Sequence, residues 1–557
     1  MNMRKIYFLT ILMLAAATYS LSAQIQIIYV APGATGTGTS WADPKGDVIS
    51  AVNEAFAASP KKQVWVKSGT YNLTTEIYAY MVNLYGGFAG TETSIAQRVK
   101  VANGEPWEYA NPTILKGDDD TRIITIRSAT VDGFTITNGG GKTAVEGSFF
   151  ATNNYNGGGV FLTGGTIQNC IIRDNLTGIF TNASGKSYGG GIATNAGNIR
   201  SCLIENNINI HSGAGGIYVN TGSAPAVIDN CVIRNNTADP QTTLGGGGIG
   251  AYGTKITITN SKVYSNSIVG KVYTQGGGIY AQNTDLTLVN CLFYNNSGIS
   301  SILVGSNSKL YNNTIVNNTG YTYMYSRTAG QPFNLTNNII WNNKDQALQP
   351  LGLYGESNSD KVELFNNYID FSQTYPNLAS IDSVKTATDT TVTITPHNGN
   401  VLLLESIENA PKFVLPSSFI GAGTSGDQLI ELQNADFSLL VGSPCIDMGK
   451  TIAEVTSDIK GTNRPLGSTY ETGAYEFDPN TTSNSETEAN KATYKLISYQ
   501  DGIMIQGLNS IERVSVYSIN GMLIYSGPTA DNTLIPLQKG FYVFQVGNQR
   551  NSKVFVR

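Results

Sequence analysis

Charge is scarce in this sequence. Lys, Arg, Asp and Glu together make up 13% of its 557 residues, about half the share of an ordinary globular domain. The net charge is −5 and no run of lysine or arginine occurs, which argues against a nucleic-acid partner. Histidine appears twice, as His211 and His397, and neither has a partner visible in sequence, so neither is expected to be catalytic. Beyond the N-terminus no stretch reaches ~18 uninterrupted apolar residues, so no transmembrane helix is expected. What is plentiful is glycine (61) and tyrosine (30), with much Asn, Thr and Ser. That balance suits a β-rich, turn-rich extracellular protein.

Residues 1–23 have the pattern of a signal peptide. Arg4 and Lys5 form its charged start, Ile6 to Ala17 its apolar segment, and Ser20, Ser22 and Ala23 a cleavage region before Gln24. No cysteine follows that region, so a lipoprotein anchor is not expected.

A repeat organises the rest. GGGIYAQNTDLTLVNCLFYNNS from Gly276 has relatives from Gly157, Gly189, Gly215 and Gly246. Aligned on one position, the units fall at Gly133, Cys170, Cys202, Cys231, Ser261, Cys291, Asn313, Asn338 and Asn367. Three residues earlier stands Ile167, Ile199, Ile228, Ile258, Leu288, Leu310, Leu335 or Leu364. Two residues later stands Ile172, Ile204, Ile233, Val263, Phe293, Ile315, Ile340 or Ile369. The position between is mixed, so the unit alternates as a strand with one face always inside. An asparagine turn follows, as in Asn206–Asn207 and Asn295–Asn296; asparagine tolerates left-handed backbone, and stacked amides can bond along a stack. One unit cannot bury its apolar face alone, but coils stacked ~4.8 Å apart can. The fold class is therefore all-β: a right-handed parallel β-helix of the pectate-lyase-like solenoid kind over 24–477. Within it, 24–120 holds the N-terminal cap and first coils, and 437–477 a closing module. The ladder fades over 371–434, with an insertion at Thr388–Thr395.

Asp47–Ala58 has helical spacing at Val48, Val52, Ala55 and Phe56, a cap for the open end of the stack. Residues 478–492 lack large apolar side chains and form a linker. Residues 493–557 return to alternating strands with hairpin signals at Asn520–Gly521 and Gly547–Asn548, a small separate β-sandwich.

Several stretches carry a resemblance. The GGGI and FYNN pieces resemble the short repeats of polymorphic outer membrane proteins. IYVAPGATGTGTSWADP, VWVKSGTYNL and VNLYGGFAGTET resemble the N-terminal part of secreted bacterial β-helix proteins. DFSLLVGSPCIDMGK, DIKGTNRPLG and TGAYEF resemble the closing module of such helices. The end of the chain resembles the type IX secretion C-terminal sorting domain of Bacteroidota, and residues 493–557 are too few for a membrane barrel. The resemblance implies a protein of a Gram-negative bacterium, handled by the type IX secretion machinery and then released or attached at the outer membrane surface.

Candidate chemistry is thin. Cys170, Cys202, Cys231 and Cys291 share one rung position; the coil spacing permits a disulfide, but in-register strands point them into the core as small apolar residues. Gly248–Gly253 matches GxGxxG but lies inside a repeat whose glycines recur at one corner, so no dinucleotide site is expected. Asp118, Asp119 and Asp120, flanked by Lys116 and Arg122, form the densest charge cluster. Their hard oxygens suit Ca²⁺, and in lyases that resemble this fold Ca²⁺ neutralises an acidic sugar; a solvated turn is the plainer reading. No column of paired carboxylates emerges from Asp174, Glu205 and Asp239, so no catalytic residue is assigned. Asp447, Asp458, Arg464 and Glu476 are expected to hold the last coil shut as an ion-paired cap. Tyr264, Tyr294 and Trp341 share an outward register, and Tyr321, Tyr323 and Tyr325 alternate in an expected loop; flat aromatics on a long β surface suit sugar stacking. The expectation is a non-catalytic, adhesin-like protein binding a polysaccharide or cell-surface glycan through Tyr264, Tyr294, Trp341 and Tyr323. The alternatives are a polysaccharide lyase or glycoside hydrolase working along the same groove, and a structural stalk.

Overall fold

The computed structural model describes residues 26–479 apart from 142–153, 178–185, 211–212, 221–224, 240–244, 270–275, 305–306, 325–332, 345–352, 356–361, 371–398, 400 and 404–409, and residues 494–556 apart from 500–501, 509–510, 519–522 and 547–551. The signal segment, residues 480–492 of the linker, His211, His397, Tyr325 and Thr388–Thr395 lie outside the described residues. Two compact units are formed, residues 1–424 with 431–477, and residues 425–430 with 478–557. Among the described residues no helix is long and apolar enough to cross a membrane.

One coil of the first unit states the rule. Gly165–Gln168 points Ile167 inward and Thr166 and Gln168 outward. Asn169 turns the chain with φ 51°, Cys170 faces in, and Ile171–Arg173 buries Ile172. Asp174 makes a second left-handed turn at φ 56°, and Asn175 faces in. The next coil repeats this in parallel register, so Ile167 lies on Ile199, Ile199 on Ile228, and Ile172 on Ile204. Three parallel sheets result. Sheet A runs from Ile27–Val30 to Val362–Phe365, sheet B from Gly69–Asn72 to Val401–Leu403, and sheet C begins at Ile77–Tyr80. The stack is a right-handed parallel β-helix, the hand that parallel crossovers take. Ile204, Ile233, Val263, Phe293, Ile315 and Ile340 are fully buried in one column, each contributing ~1.5–3 kcal/mol.

Two polar columns run inside the corners. Asn175, Asn207, Asn236, Asn266, Asn296, Asn318 and Asn343 form an amide ladder in which each Nδ2 donates to the next Oδ1 at 2.9–3.0 Å. Each Nδ2 also donates to a carbonyl of the coil before, as Asn236 does to Ile204 O at 2.9 Å. In the other column Cys170, Cys202, Cys231 and Cys291 are buried free thiols. Each Sγ–H points at the carbonyl two residues back, 3.1–3.3 Å away. Ser261 makes the same bond to Thr259 O at 2.7 Å, and Asn313, Asn338 and Asn367 continue the column as a second amide ladder. In the first coil Phe134, not Gly133, fills this position; its N–H faces Cys170 Sγ at 3.4 Å. The expected alignment was one residue out there. The recurrent glycines have a steric cause: a Cβ on Gly247 would stand 2.3 Å from Gly277 O, and one on Gly190 2.3 Å from Gly215 O.

Helix α1 (Val48–Ala57) is capped by Asp47, which accepts from the N–H groups of Ile49 and Ser50. It buries Val48, Ala51, Val52 and Ala55 against the first strands of all but sheet B. Phe56, expected on the buried face, is 40% exposed and rests on Tyr80 instead.

Among the described residues the closing module lies along the side of the stack, bonding turns of four successive coils, where an end cap was expected. Asn290 donates to Ser457 O, Asn312 to Glu471 O, Asn337 to Lys450 O and Asn366 to Met448 O. The expected ion pair holds within it: Arg464 Nη1 bonds Glu476 Oε1, both side chains fully buried. Asp458 accepts from the N–H groups of Lys460, Thr462 and Glu476, and Asp447 from those of Ser468 and Thr469. In the second unit, a three-stranded and a four-stranded antiparallel sheet enclose Ile503, Ile505, Val514, Val516, Ile535, Phe544 and Val546, a β-sandwich. Glu512–Ser518 pairs with Leu523–Thr529, and Gly540–Val546 with Ser552–Val556; the hairpin tips between them lie outside the described residues.

Candidate binding face

The aromatic register chosen from sequence is real but covered. Tyr264 and Tyr294 stack at 4.5 Å, with Val316 and Trp341 following in strict register. All point away from the helix core, yet they are only 1–5% exposed. The closing module and the end of the helix just before it seal them: Tyr294 donates to Leu432 O at 2.8 Å and packs on Phe437. They form a second apolar core, with Leu432, Leu439 and Ala474, and offer no face to a sugar. Tyr321 and Tyr323 lie on the strand Thr319–Met324, where a loop was expected; their side chains are outside the described residues.

The same register carries a charged column that the sequence reading missed. Arg173, Glu205 and Arg234 precede Tyr264 rung by rung. Arg234 bonds Glu205 at 2.7 and 2.8 Å and Tyr264 Oη at 2.8 Å. The signal was there: 173, 205 and 234 stand three residues after the aligned cysteines, as 264 does after Ser261. Because Glu205 is buried and its Oε2 is held by Arg234, the two form a structural pair.

The aspartate cluster is likewise engaged. Asp118 Oδ1 accepts from the N–H groups of Asp120 and Thr121, and Asp119, at φ 65°, accepts from Asn138 Nδ2. Among the described residues no group of three His, Cys, Asp or Glu side chains is set to hold a metal ion. Arg122 turns away from the cluster and pairs with Glu76 at 2.7 Å in full burial. Ile249–Tyr252 of the GxGxxG match is a strand of sheet C, followed by the strand Lys255–Thr259.

What remains open is the outer face of sheet A. One column reads Tyr29, Trp65, Tyr85, Asp132, Gln168, Arg200, Asp229, Thr259, Val289 and Tyr311. A second reads Thr130, Thr166, Asn198, Val227, Thr257, Thr287 and Lys309. From Gln168 to Tyr311 every member of the first is half-buried or exposed, as is all of the second. Its N-terminal end is an aromatic platform. Trp41 meets Tyr29 edge-on at 4.8 Å, and Trp65 stacks on Phe88 at 4.8 Å. Trp41 is fixed by Nε1 donating to Glu92 O at 2.9 Å. Tyr29, Trp41 and Tyr85 keep part of their rings in solvent. These rings come from the three N-terminal stretches that carried the resemblance, brought to one place by the first coils.

The acids around this platform are spent on structure. Burial pushes the Glu92 carboxyl up, but N–H bonds from Ala89, Gly90 and Thr91 outweigh it and hold it below its usual range. Asp132 behaves alike: burial opposes its charge, and Arg98, Gln168 and Asn169 more than offset that. Lys100 is an exposed residue whose Nζ bonds Pro106 O and sits 3.3 Å from the Tyr109 ring centroid, and the partial desolvation there lowers its amine to about 8.

The family model described as right handed beta helix region matches residues 190–369. No curated protein matches the chain. Among solved structures, the crystal structure of pectate lyase Pel9A is similar at 14% identity with a TM-score of 0.42, covering 83% of this chain and 98% of that one.

Proposed function

We propose that this is an exported, surface-located β-helix protein that binds extended glycan chains along the outer face of sheet A without cleaving them. The supporting observation is the solvent-facing column from Gln168 to Tyr311, rich in amide, hydroxyl and guanidinium groups, with the partly exposed rings of Tyr29, Trp41 and Tyr85 at the N-terminal end of the same face, beyond the buried Asp132. Rungs repeat every ~4.8 Å, close to the advance of a sugar ring in an extended polymer. Aromatic faces supply stacking, and the polar column supplies hydrogen bonds to hydroxyls. Asp132, Glu92 and Glu205 are each engaged by internal partners, which favours binding over hydrolysis by these acids. In this reading the type IX machinery delivers the protein through residues 493–557, and no cofactor is needed.

A glycan array of the signal-free protein should give hits. Trp41→Ala and Tyr85→Ala should each weaken binding about tenfold with circular dichroism unchanged. Hits that survive the double variant at full strength would place the ligand elsewhere. A lyase remains the second reading because of one group, Lys100, whose lowered amine at the platform suits a general base. Unsaturated sugar ends released by wild type, and lost in Lys100→Ala, would establish it over the binding role.

A further inference from the structure

The segment Glu471–Ala474 is where the closing module grips the stack. Asn312 donates to Glu471 O, Gly473 N–H to Asn337 O at 2.7 Å, Ala474 N–H to Thr314 Oγ1 and Thr472 Oγ1 to Asn366 O. In the middle of this grip the Glu471 side chain is buried completely. Among the described residues, neither of its carboxyl oxygens receives a hydrogen bond. The charged groups that act on it belong to the module itself, Glu476 and Arg464. The Nη groups of Arg464 are committed to Glu476, Gly473 O and Glu471 O, and its buried Nε bonds no group among the described residues, the Glu471 carboxyl included. Glu476 also accepts from the N–H groups of Leu466 and Glu471. The stack meets the segment with the neutral side chains of Asn312, Thr314 and Asn366.

An ionised carboxylate with no donor is untenable in such a place, whereas a protonated one can donate to Glu476. We infer that Glu471 is a proton-dependent latch: protonated, it lets the closing module lie shut over the Tyr264–Tyr294–Trp341 column, and its ionisation favours release of the module. Burial, with the Glu476 carboxylate beside it, raises the acid to about 9. The sign follows from that direction. An acid whose folded value lies above its unfolded one holds its proton in the closed state after the open state has lost it, so closure weakens as pH rises. The window runs from the ordinary carboxylate value of about 4.3 to about 9. Outside it the latch is insensitive to pH.

The test compares full-length wild type with Glu471→Gln, whose amide mimics the protonated acid. Backbone hydrogen exchange is followed in the peptides covering 449–477 between pH 5 and pH 9. The ratio of the two proteins at each pH cancels the base catalysis of exchange itself. The expected result is wild-type opening that grows by up to tenfold per pH unit relative to the variant. A ratio that stays flat across the window overturns the latch. Should the variant fold poorly, infrared spectra of wild type decide alone. The carbonyl band of a protonated carboxylic acid should persist at pH 7.5 and disappear as the module opens; its absence at pH 7.5 in the closed protein also overturns the latch.

Discussion

At the residue scale, the stack distinguishes two kinds of buried polar side chain. Asn236 uses its whole amide: Oδ1 accepts from the N–H and Nδ2 of Asn207, and Nδ2 donates to Ile204 O and Asn266 Oδ1. Cys231 makes only weak bonds, to Asp229 O at 3.3 Å and Ile199 O at 3.6 Å, and Ser261 on the next rung shows that a hydroxyl makes the bond two residues back. Asn236→Ala leaves the Asn207 N–H, one Asn207 amide hydrogen and Ile204 O without their Asn236 partner, while Asn266 Oδ1 keeps the Asn236 N–H; at ~1–3 kcal/mol for each buried unsatisfied group, a loss of about 3 kcal/mol is expected. Cys231→Ser should stay within about 1 kcal/mol of wild type, since its hydroxyl keeps the bond. Urea unfolding of the two variants checks both, and equal losses would mean that the amide ladder adds nothing beyond filling space. The asparagine turns were legible in sequence because left-handed backbone and side-chain amide coincide at each repeat. The thiol-to-carbonyl bonds were not, because nothing in a cysteine's position announces an acceptor two residues back.

At the scale of elements, alternation tells which side chains leave the core but not what lies over them. Tyr264, Tyr294 and Trp341 do point outward, and the register read from sequence is the one observed. Their cover comes from far along the chain, Tyr294 meeting Leu432 and Phe437, and periodicity carries no information about such a distant contact. The platform of Trp41, Trp65 and Tyr85 was hidden for the converse reason, being assembled from three separate stretches with no repeat among them. Tyr294→Ala therefore tests packing rather than ligand contact. Removing this fully buried ring should cost ~3–5 kcal/mol and raise hydrogen exchange in the closing module, while glycan binding on sheet A is kept. Loss of binding with unchanged module protection would restore the sugar-stacking role to this column.

At the scale of the whole molecule, a solenoid is a one-dimensional stack in which each coil contacts only its neighbours, so stability is close to a sum of coil terms and interfaces. That property makes the register itself testable. Deleting residues 231–260 removes one complete coil and joins Asn230 to Ser261. Ile233 is lost, Ile204 then meets Val263, and Asn207 meets Asn266, so every column closes on an equivalent residue. The cost should be confined to one coil's burial and to the Arg234–Glu205 pair, leaving a soluble protein that unfolds in one cooperative step with a smaller denaturant dependence. Deleting residues 231–245 instead sets Asn230 against Gly246, which puts a corner where a strand must be and offsets each column above from the one below. This shorter deletion should yield insoluble chains although it removes half as much sequence. If sedimentation and thermal unfolding show the two deletions to be equally tolerated, stability does not reside in stacked equivalent side chains, and the coil-by-coil register assigned to this chain is wrong.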